Sequence, residues 1–317
     1  MPIQNVGTLL ENVVVTEAAL ALLPLCRDGL PLEFANAFAM PPLSEWRPHS
    51  QNAGFDDATL DRVKDARDFE FSPSASYARL LRTILRSDRG LGPNAGLLVA
   101  AVALQAGVCC RIWLNDIRNG HYGDAIPQLE QIETLARTMY NIEERKEVRI
   151  SVNVSDIAYP RSIERLNEVL RHWEPRATAR LAFLDPLRYR FQEPREAETS
   201  SRDHRRWLAA IAFEGLSCAV QFTANSNQNP DQFDSLGRNL GSLRDDAVAE
   251  GYAATRIFQR QHYAVFLATR SLVPNQAERV LADIEGRVQR TWDLWGRAFT
   301  SSRNWSLKIY RDGIAAQ

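Results

Sequence analysis

Lysine is nearly missing from this chain. Of 38 basic residues only Lys64, Lys146 and Lys308 are lysine; the rest are arginine. Against 39 acidic residues the net charge is -1, which excludes a protein that holds polyanions through its overall charge. Any contact with nucleic acid has to be a local patch, and arginine suits one, because its planar guanidinium grips phosphates and stacks on bases. Cysteine is also scarce. Cys26, Cys109, Cys110 and Cys218 lie in or beside apolar runs, and none has the Cys-x-x-Cys spacing of a zinc site or redox pair. They read as buried free thiols in a reducing, cytoplasmic setting. The five histidines, His49, His121, His172, His204 and His262, are scattered, so no metal is expected. No Ser-His-Asp order, no Gly-x-Gly-x-x-Gly and no Gly-Lys-Ser/Thr occurs, which argues against the nucleotide-binding classes those glycine motifs serve. No signal peptide, internal repeat or low-complexity tract is found. The apolar run Leu97 to Ala106 is too short to span a bilayer, so no membrane contact is expected.

What is present is ample apolar material: 45% of 317 residues, enough for one large α/β domain or a domain with a smaller addition. Residues 1–30 form an N-terminal extension with a β-rich piece at Val13-Val14-Val15 and an apolar, helix-like stretch from Ala18 to Leu25. Pro31 to Met40 is a strand stopped by Pro41-Pro42. Residues 43–75 are a loop-rich insertion with one short helix near Asp57 to Arg67, and Ser76 to Ser87 has helical spacing. Gly92-Pro93-Asn94 is a turn feeding a helix over Leu97 to Gln105 that Gly107 ends. Such a turn offers amides to an anion, or is simply a structural turn.

Further strands are expected at Cys109 to Leu114, Val148 to Val154, Leu181 to Leu184 and Ser217 to Phe222. Helical patterns lie between them at Ile126 to Tyr140, Ser162 to Trp173 and Arg202 to Phe213. This alternation predicts a doubly wound, mainly parallel sheet. Another helix follows over Asp231 to Glu250. Ala254 to Gln259 and Tyr263 to Thr269 are too close for a crossover and should pair as an antiparallel hairpin. A charged amphipathic helix over Pro274 to Thr300 and a last strand at Asn304 to Tyr310 close the chain, so residues 31–270 form the main domain and 271–317 pack on it.

Three strands end in an acid: Asp116, Asp156 and Asp185. Parallel strands bring those tips to one sheet edge, where ligands of open α/β sheets bind. Aspartate after a strand also serves as turn former or helix cap, and both roles stay open. Asp185 is held at its strand end by Pro186. An arginine-rich irregular stretch follows, through Arg188, Arg190, Arg195, Arg202, Arg205 and Arg206.

These motifs, in this order, resemble the class I S-adenosylmethionine-dependent methyltransferase fold. The closer resemblance is to the three-Cys-motif partner family and to methyltransferases that modify adenine in ribosomal RNA. It covers about residues 30 to 270 and rests on Leu32 to Met40, Gly92-Pro93-Asn94, Leu114-Asn115-Asp116, Asn153 to Asp156, Phe183-Leu184-Asp185-Pro186 and Tyr263 to Thr269. The resemblance implies S-adenosylmethionine as cofactor, held by Phe38, Ala39, Met40, Asn94, Asp116 near the ribose and Asp156 near the adenine. It implies transfer to the amino group of a nucleic-acid base, with Asp185 and Pro186 at the target amine and Tyr189 stacked on the base. Arg188, Arg190, Arg202, Arg205 and Arg206 would hold phosphates. Two departures stand out. The loop Phe38-Ala39-Met40-Pro41-Pro42 has no glycine, and Asp185-Pro186-Leu187-Arg188-Tyr189 replaces the usual Asp-Pro-Pro-Tyr. They leave a second reading: an inactive methyltransferase-like module that binds a protein partner.

Overall fold

The computed structural model describes residues 3–4, 6–26, 29–37, 39, 43–46, 91–115, 125–144, 147–155, 157, 161–173, 177–184, 194–224, 233–260, 263–298, 306–311 and 314–315. The short strands β1 (Ile3–Gln4), β3 (Leu43–Trp46) and β4 (Leu91–Pro93) form a small three-stranded sheet, order β1-β3-β4. All other strands share one sheet of nine. Its members are β2 (Leu32–Asn36), β5 (Cys110–Asn115), β6 (Ile150–Ser155), β7 (Ala179–Leu184), β8 (Leu216–Ala224), β9 (Ala254–Arg260), β10 (Tyr263–Arg270), β11 (Lys308–Arg311) and β12 (Ile314–Ala315). The order is β12-β11-β9-β10-β8-β7-β2-β5-β6. The block β8-β7-β2-β5-β6 is parallel throughout. The strands β9 and β10 pair antiparallel as a hairpin, with β10 against β8.

Helices cover both faces, so the central strands are apolar on both sides, as buried parallel strands must be. One face carries α1 (Val6–Leu22), α2 (Ala95–Ala106), α3 (Ala125–Glu130), α4 (Ile132–Tyr140) and α8 (Gln276–Ala298). The other carries α5 (Arg161–His172), α6 (Pro194–Ile211) and α7 (Phe233–Ala249), with Trp113, Trp207, Leu208 and Phe266 in the core beneath them. Asn94 caps α2: its Oδ1 accepts from the Leu97 amide at 2.8 Å, and Gly107 ends the helix at φ 71°. Gly96 in the first turn allows close packing, since a Cβ there would meet Leu114 at 3.0 Å.

Several expectations need correction. Val13-Val14-Val15 is not a β piece but the middle of α1, buried against α2, α8 and the sheet. The region 126–140 is broken at Gln131 into α3 and α4. Leu91–Pro93, read as a turn, pairs as a strand with Leu43–Trp46. The helix expected over Arg202 to Phe213 is present and carries Arg202, Arg205 and Arg206, but it starts at Pro194, eight residues earlier, and ends at Ile211. Proline at the first helical position fits there, because its missing N–H has no intrahelical acceptor. Of the expected insertion over 43–75 only Leu43–Trp46 is described, and it is a strand; the helices expected near Asp57 to Arg67 and over Ser76 to Ser87 lie outside the described residues. All four cysteines are free; Cys110 and Cys218 are buried and Cys26 and Cys109 partly so. Burial pushes the Cys26 thiol up to about 11 and the Cys110 and Cys218 thiols up as well.

Candidate functional site at the carboxyl edge of the sheet

The chain starts its sheet at β2 and builds outward through α2 to β5 and through α3 and α4 to β6. It then crosses back by α5 to β7, on the other side of β2, and continues by α6 to β8. The helix after β2 therefore lies on one face and the helix after β7 on the other. The carboxyl ends of β2 and β7 are thus the point where the winding reverses, the place where doubly wound sheets bind ligands.

Hydrogen bonds fasten that edge. The amide of Ala37 donates to the Phe183 carbonyl at 3.2 Å, and the amide of Ala39 to the Asn115 carbonyl at 2.8 Å. The buried carboxamide of Asn115 is the knot. Its Nδ2 donates to the carbonyls of Ala37 and Ile157 at 3.1 and 2.8 Å. Its Oδ1 accepts from Ser155 Oγ at 2.9 Å and from the Ile157 amide at 3.0 Å. The ends of β2, β5 and β6 are held in one register by this side chain.

Of the residues singled out from sequence, Phe38, Met40, Asp116, Asp156, Asp185, Pro186, Arg188, Tyr189 and Arg190 lie outside the described residues. The strand ends that lead into the three acids, Asn115, Ser155 and Leu184, do lie at one edge of the sheet. Ala39 is buried at that edge. Asn94 sits at the amino end of α2 with Oδ1 committed to its cap, and Asn12 Nδ2 donates to the neighbouring Pro93 carbonyl at 3.2 Å. Arg202, Arg205 and Arg206 are exposed on α6. Arg205 Nε donates to Glu250 at 2.7 Å, and Arg206 reaches Glu164 at 3.1 Å and Asp203 at 3.6 Å. Two of the arginines expected at phosphates thus already have carboxylates.

Sequence reading missed Asn115 and Ser155, which were taken only as the run-in to acids. It also missed a buried polar chain between α6 and α7. Ser201 Oγ donates to Asp246 Oδ1 at 2.6 Å, and His204 Nδ1 lies 3.2 Å from Asp246 Oδ2. Burial lowers the His204 pKa despite that carboxylate. Both partners address the same aspartate, so this is no nucleophile–base–acid relay. A cavity of about 360 Å³ is lined by Arg171, Trp173, Arg180 and Phe213, with Arg180 near the amino end of β7. Among the described residues no cluster of His, Cys, Asp and Glu could hold a metal ion, and no helix is long and apolar enough to cross a membrane.

No protein-family model matches the chain, and no curated protein matches it by sequence. Among solved structures, protein LPL1258 from Legionella pneumophila str. Philadelphia 1, of the family model DUF519, superposes with a TM-score of 0.55 at 12% identity. That match covers 97% of this chain and 96% of the other. A probable spermidine synthase from Corynebacterium glutamicum ATCC 13032 gives 0.38 at 9% identity over 96% and 75% of the two chains. An rRNA methylase from Streptococcus thermophilus gives 0.33 at 8% identity over 80% and 94%. The likeness to the Legionella protein is one of fold alone, along nearly the whole of both chains; at their scores the other two add nothing to it. The strand order itself defines the class: a Rossmann-like α/β protein with a doubly wound, mainly parallel sheet and a terminal antiparallel hairpin, the methyltransferase type of sheet.

Proposed function

We propose that the chain is an S-adenosylmethionine-dependent methyltransferase acting on the amino group of a nucleic-acid base. One observation carries the reading. The chain's winding reverses at β2, adding β5 and β6 on one side and β7 and β8 on the other, and at that edge the polar groups of Asn115 and Ser155 are bonded to each other. The acids that follow them in sequence, Asp116 and Asp156, are then the groups left for a ribose and an adenine. Carboxylates there would accept from the cofactor's ribose hydroxyls and adenine amine, and the cofactor when bound supplies a methyl group on a positively charged sulfur.

The chain's own part is positioning. Phe38, Ala39 and Met40 form the wall after β2, and Asn94 starts the helix beside it. Asp185 and the carbonyl of Pro186 accept hydrogen bonds from the target amine and so aim its lone pair. Tyr189 stacks on the base. Arg188, Arg190, Arg202, Arg205 and Arg206 hold the flanking phosphates.

A second reading has its own observation. The amides of Ala37 and Ala39 are spent on Phe183 and Asn115, and side chains stand where glycines would let the backbone approach a ligand. On this reading the module is inactive and serves a protein partner. Calorimetric titration with S-adenosylmethionine and S-adenosylhomocysteine separates the two. Saturable binding at micromolar concentration supports the enzyme; a flat trace with folded protein supports the module. Asp116→Ala is expected to weaken that binding more than Asp185→Ala, because a lost hydrogen bond to a charged group costs about 1.5–3 kcal/mol.

A further inference from the structure

The large sheet ends differently on its two sides. At one end it finishes in β12, only two residues long, and a very short last strand is one way to blunt an edge. At the other it finishes in β6, six residues long, which pairs with β5 and with no further strand among the described residues. The amide of Cys110 donates to the Arg149 carbonyl at 3.1 Å. Parallel pairing then turns the backbone groups of Ser151, Asn153 and Ser155 towards β5, and those of Ile150, Val152 and Val154 outward.

The outward groups are treated in two ways. At the start of the strand a side-chain pair from α4 covers them. Glu133 Oε2 accepts from the Ile150 amide at 3.0 Å, and Arg137 Nη2 donates to the Val148 carbonyl at 3.1 Å. The two side chains are bonded to each other at 2.8 Å, so together they stand in for a neighbouring strand. Further along, no hydrogen bond reaches the outward groups of Val152 or Val154 among the described residues. Ile150–Ser155 also lacks the usual protection of an edge: it has no charged residue and no proline, and its register with β5 runs without a bulge. Val152 and Val154 are half-buried, and Ser151 and Asn153 are exposed.

We infer that the open half of β6 docks antiparallel on the same half of a second copy of this chain, so that the two sheets run on as one. The strand is its own complement. A two-fold axis normal to the sheet keeps like faces together, so valine meets valine on the face packed against the core, and polar meets polar on the other. With no charge on the strand, the two copies do not repel each other. The guard from α4 fixes the register. Pairing centred on Val152 would need the Ile150 amide, which Glu133 holds. Pairing centred on Asn153 uses only open groups. Val152 then exchanges both its backbone bonds with Val154 of the second copy, and Asn153 faces its own counterpart with about 4.5–5.5 Å between Cβ atoms. So short a ladder gives an association that depends on protein concentration rather than a permanent dimer.

The test is sedimentation velocity on the full chain across a wide range of concentration. The wild type should pass from monomer to dimer as concentration rises. Asn153→Asp and Asn153→Lys should each weaken the dimer by about fivefold, because like charges then face each other across the axis. An equal mixture of the two variants should recover it, since opposite charges now meet. That recovery also excludes misfolding of the variants as the cause of the loss. A wild type that stays monomeric throughout overturns the inference and leaves the edge to a different chain. A dimer that both variants form as well as the wild type overturns it too, because the contact then lies elsewhere. So does a mixture that associates no better than its parts, because Asn153 then does not face its own counterpart.

Discussion

Ser155 Oγ donates to Asn115 Oδ1 over 2.9 Å, and the two residues are direct partners in the β5–β6 ladder. The ends of these strands are therefore tied by side chains as well as by backbone. The same Asn115 reaches across to the segment after β2. Asn115→Ala would leave the Ser155 hydroxyl, the Ile157 amide and two carbonyls without their partner. The expected cost is roughly 3 kcal/mol in chemical denaturation. Asn115→Asp turns an acceptor oxygen towards the Ala37 and Ile157 carbonyls and buries a charge, and should cost at least as much as Asn115→Ala. If Asn115→Ala unfolds at the wild-type midpoint, the knot does not hold the edge.

Glu33 and Arg180 form a second cross-strand pair, near the opposite edge. Arg180 Nε and Nη2 lie 2.8 and 2.7 Å from Glu33 Oε2, Nη1 donates to the Ile211 carbonyl at 3.1 Å, and the guanidinium sits 4.4 Å from the Phe213 ring centre. Burial pushes the Glu33 carboxyl up, and Arg180 only partly offsets this. Arg180→Met should therefore destabilise the fold by about 3 kcal/mol, because it leaves the buried carboxylate with only the more distant Arg111, at 3.9 Å. Glu33→Leu combined with Arg180→Met should recover much of that loss. A double-mutant cycle by urea unfolding decides it; additive single effects would show that the pair is not coupled.

Glu17, within α1, accepts from Thr291 Oγ1 of α8 at 2.6 Å and is fully buried. Burial raises its pKa from the ordinary 4.5 to about 7, against the pull of Thr291, Arg287 and Arg290. Between those values the folded chain holds a proton that the unfolded chain has lost, so Glu17 makes stability fall as pH rises from 4.5 towards 7. The total is roughly 3 kcal/mol. His204 acts in the opposite sense. Its lowered pKa makes stability fall as pH drops below 6.5. The wild-type slope is thus a sum of opposing parts, and the difference between wild type and Glu17→Gln isolates the first. That difference should shrink towards low pH and grow towards pH 7. A constant difference across the window would contradict the assignment.

How far these features could be read in advance differs by element. The strands were legible because short apolar runs end at Asn-Asp, Ser-Asp and Asp-Pro, and runs of that length with polar stops have few other uses. Antiparallel pairing of β9 and β10 followed from the short connection alone. Helix α1 was legible only at its end, where Ala18 to Leu25 read as helix; Leu9 to Ala19 are all buried and leave no polar face to set a period, so its valines look like a strand. The start of α6 was missed for another reason: arginine and glutamate after Pro194 read as solvated loop, although proline there marks a first turn. Asn115 is an ordinary polar residue in sequence. Only the three chain segments that converge on it make its carboxamide consequential.

The arginines of α6 give the last test. If nucleic acid binds along this edge, Arg202, Arg205 and Arg206 should not contribute equally. Arg205 and Arg206 face Glu250 and Glu164, while Arg202 is exposed with no ion pair among the described residues. Both arginine pairs are near the surface, at 50% and 43% exposure of the arginine, so breaking them costs the fold little. Their carboxylates nevertheless compete with phosphate for the guanidinium. Arg202→Glu should therefore weaken binding of a single-stranded oligonucleotide more than either Arg205→Glu or Arg206→Glu. Removing the competitor should work the other way, so Glu250→Gln should strengthen binding through Arg205. Each effect should shrink as salt rises, because phosphate contacts release condensed counterions. Titrations at two ionic strengths measure this directly. Equal losses from all three charge reversals, unchanged by salt, would mean that α6 does not touch the phosphate backbone.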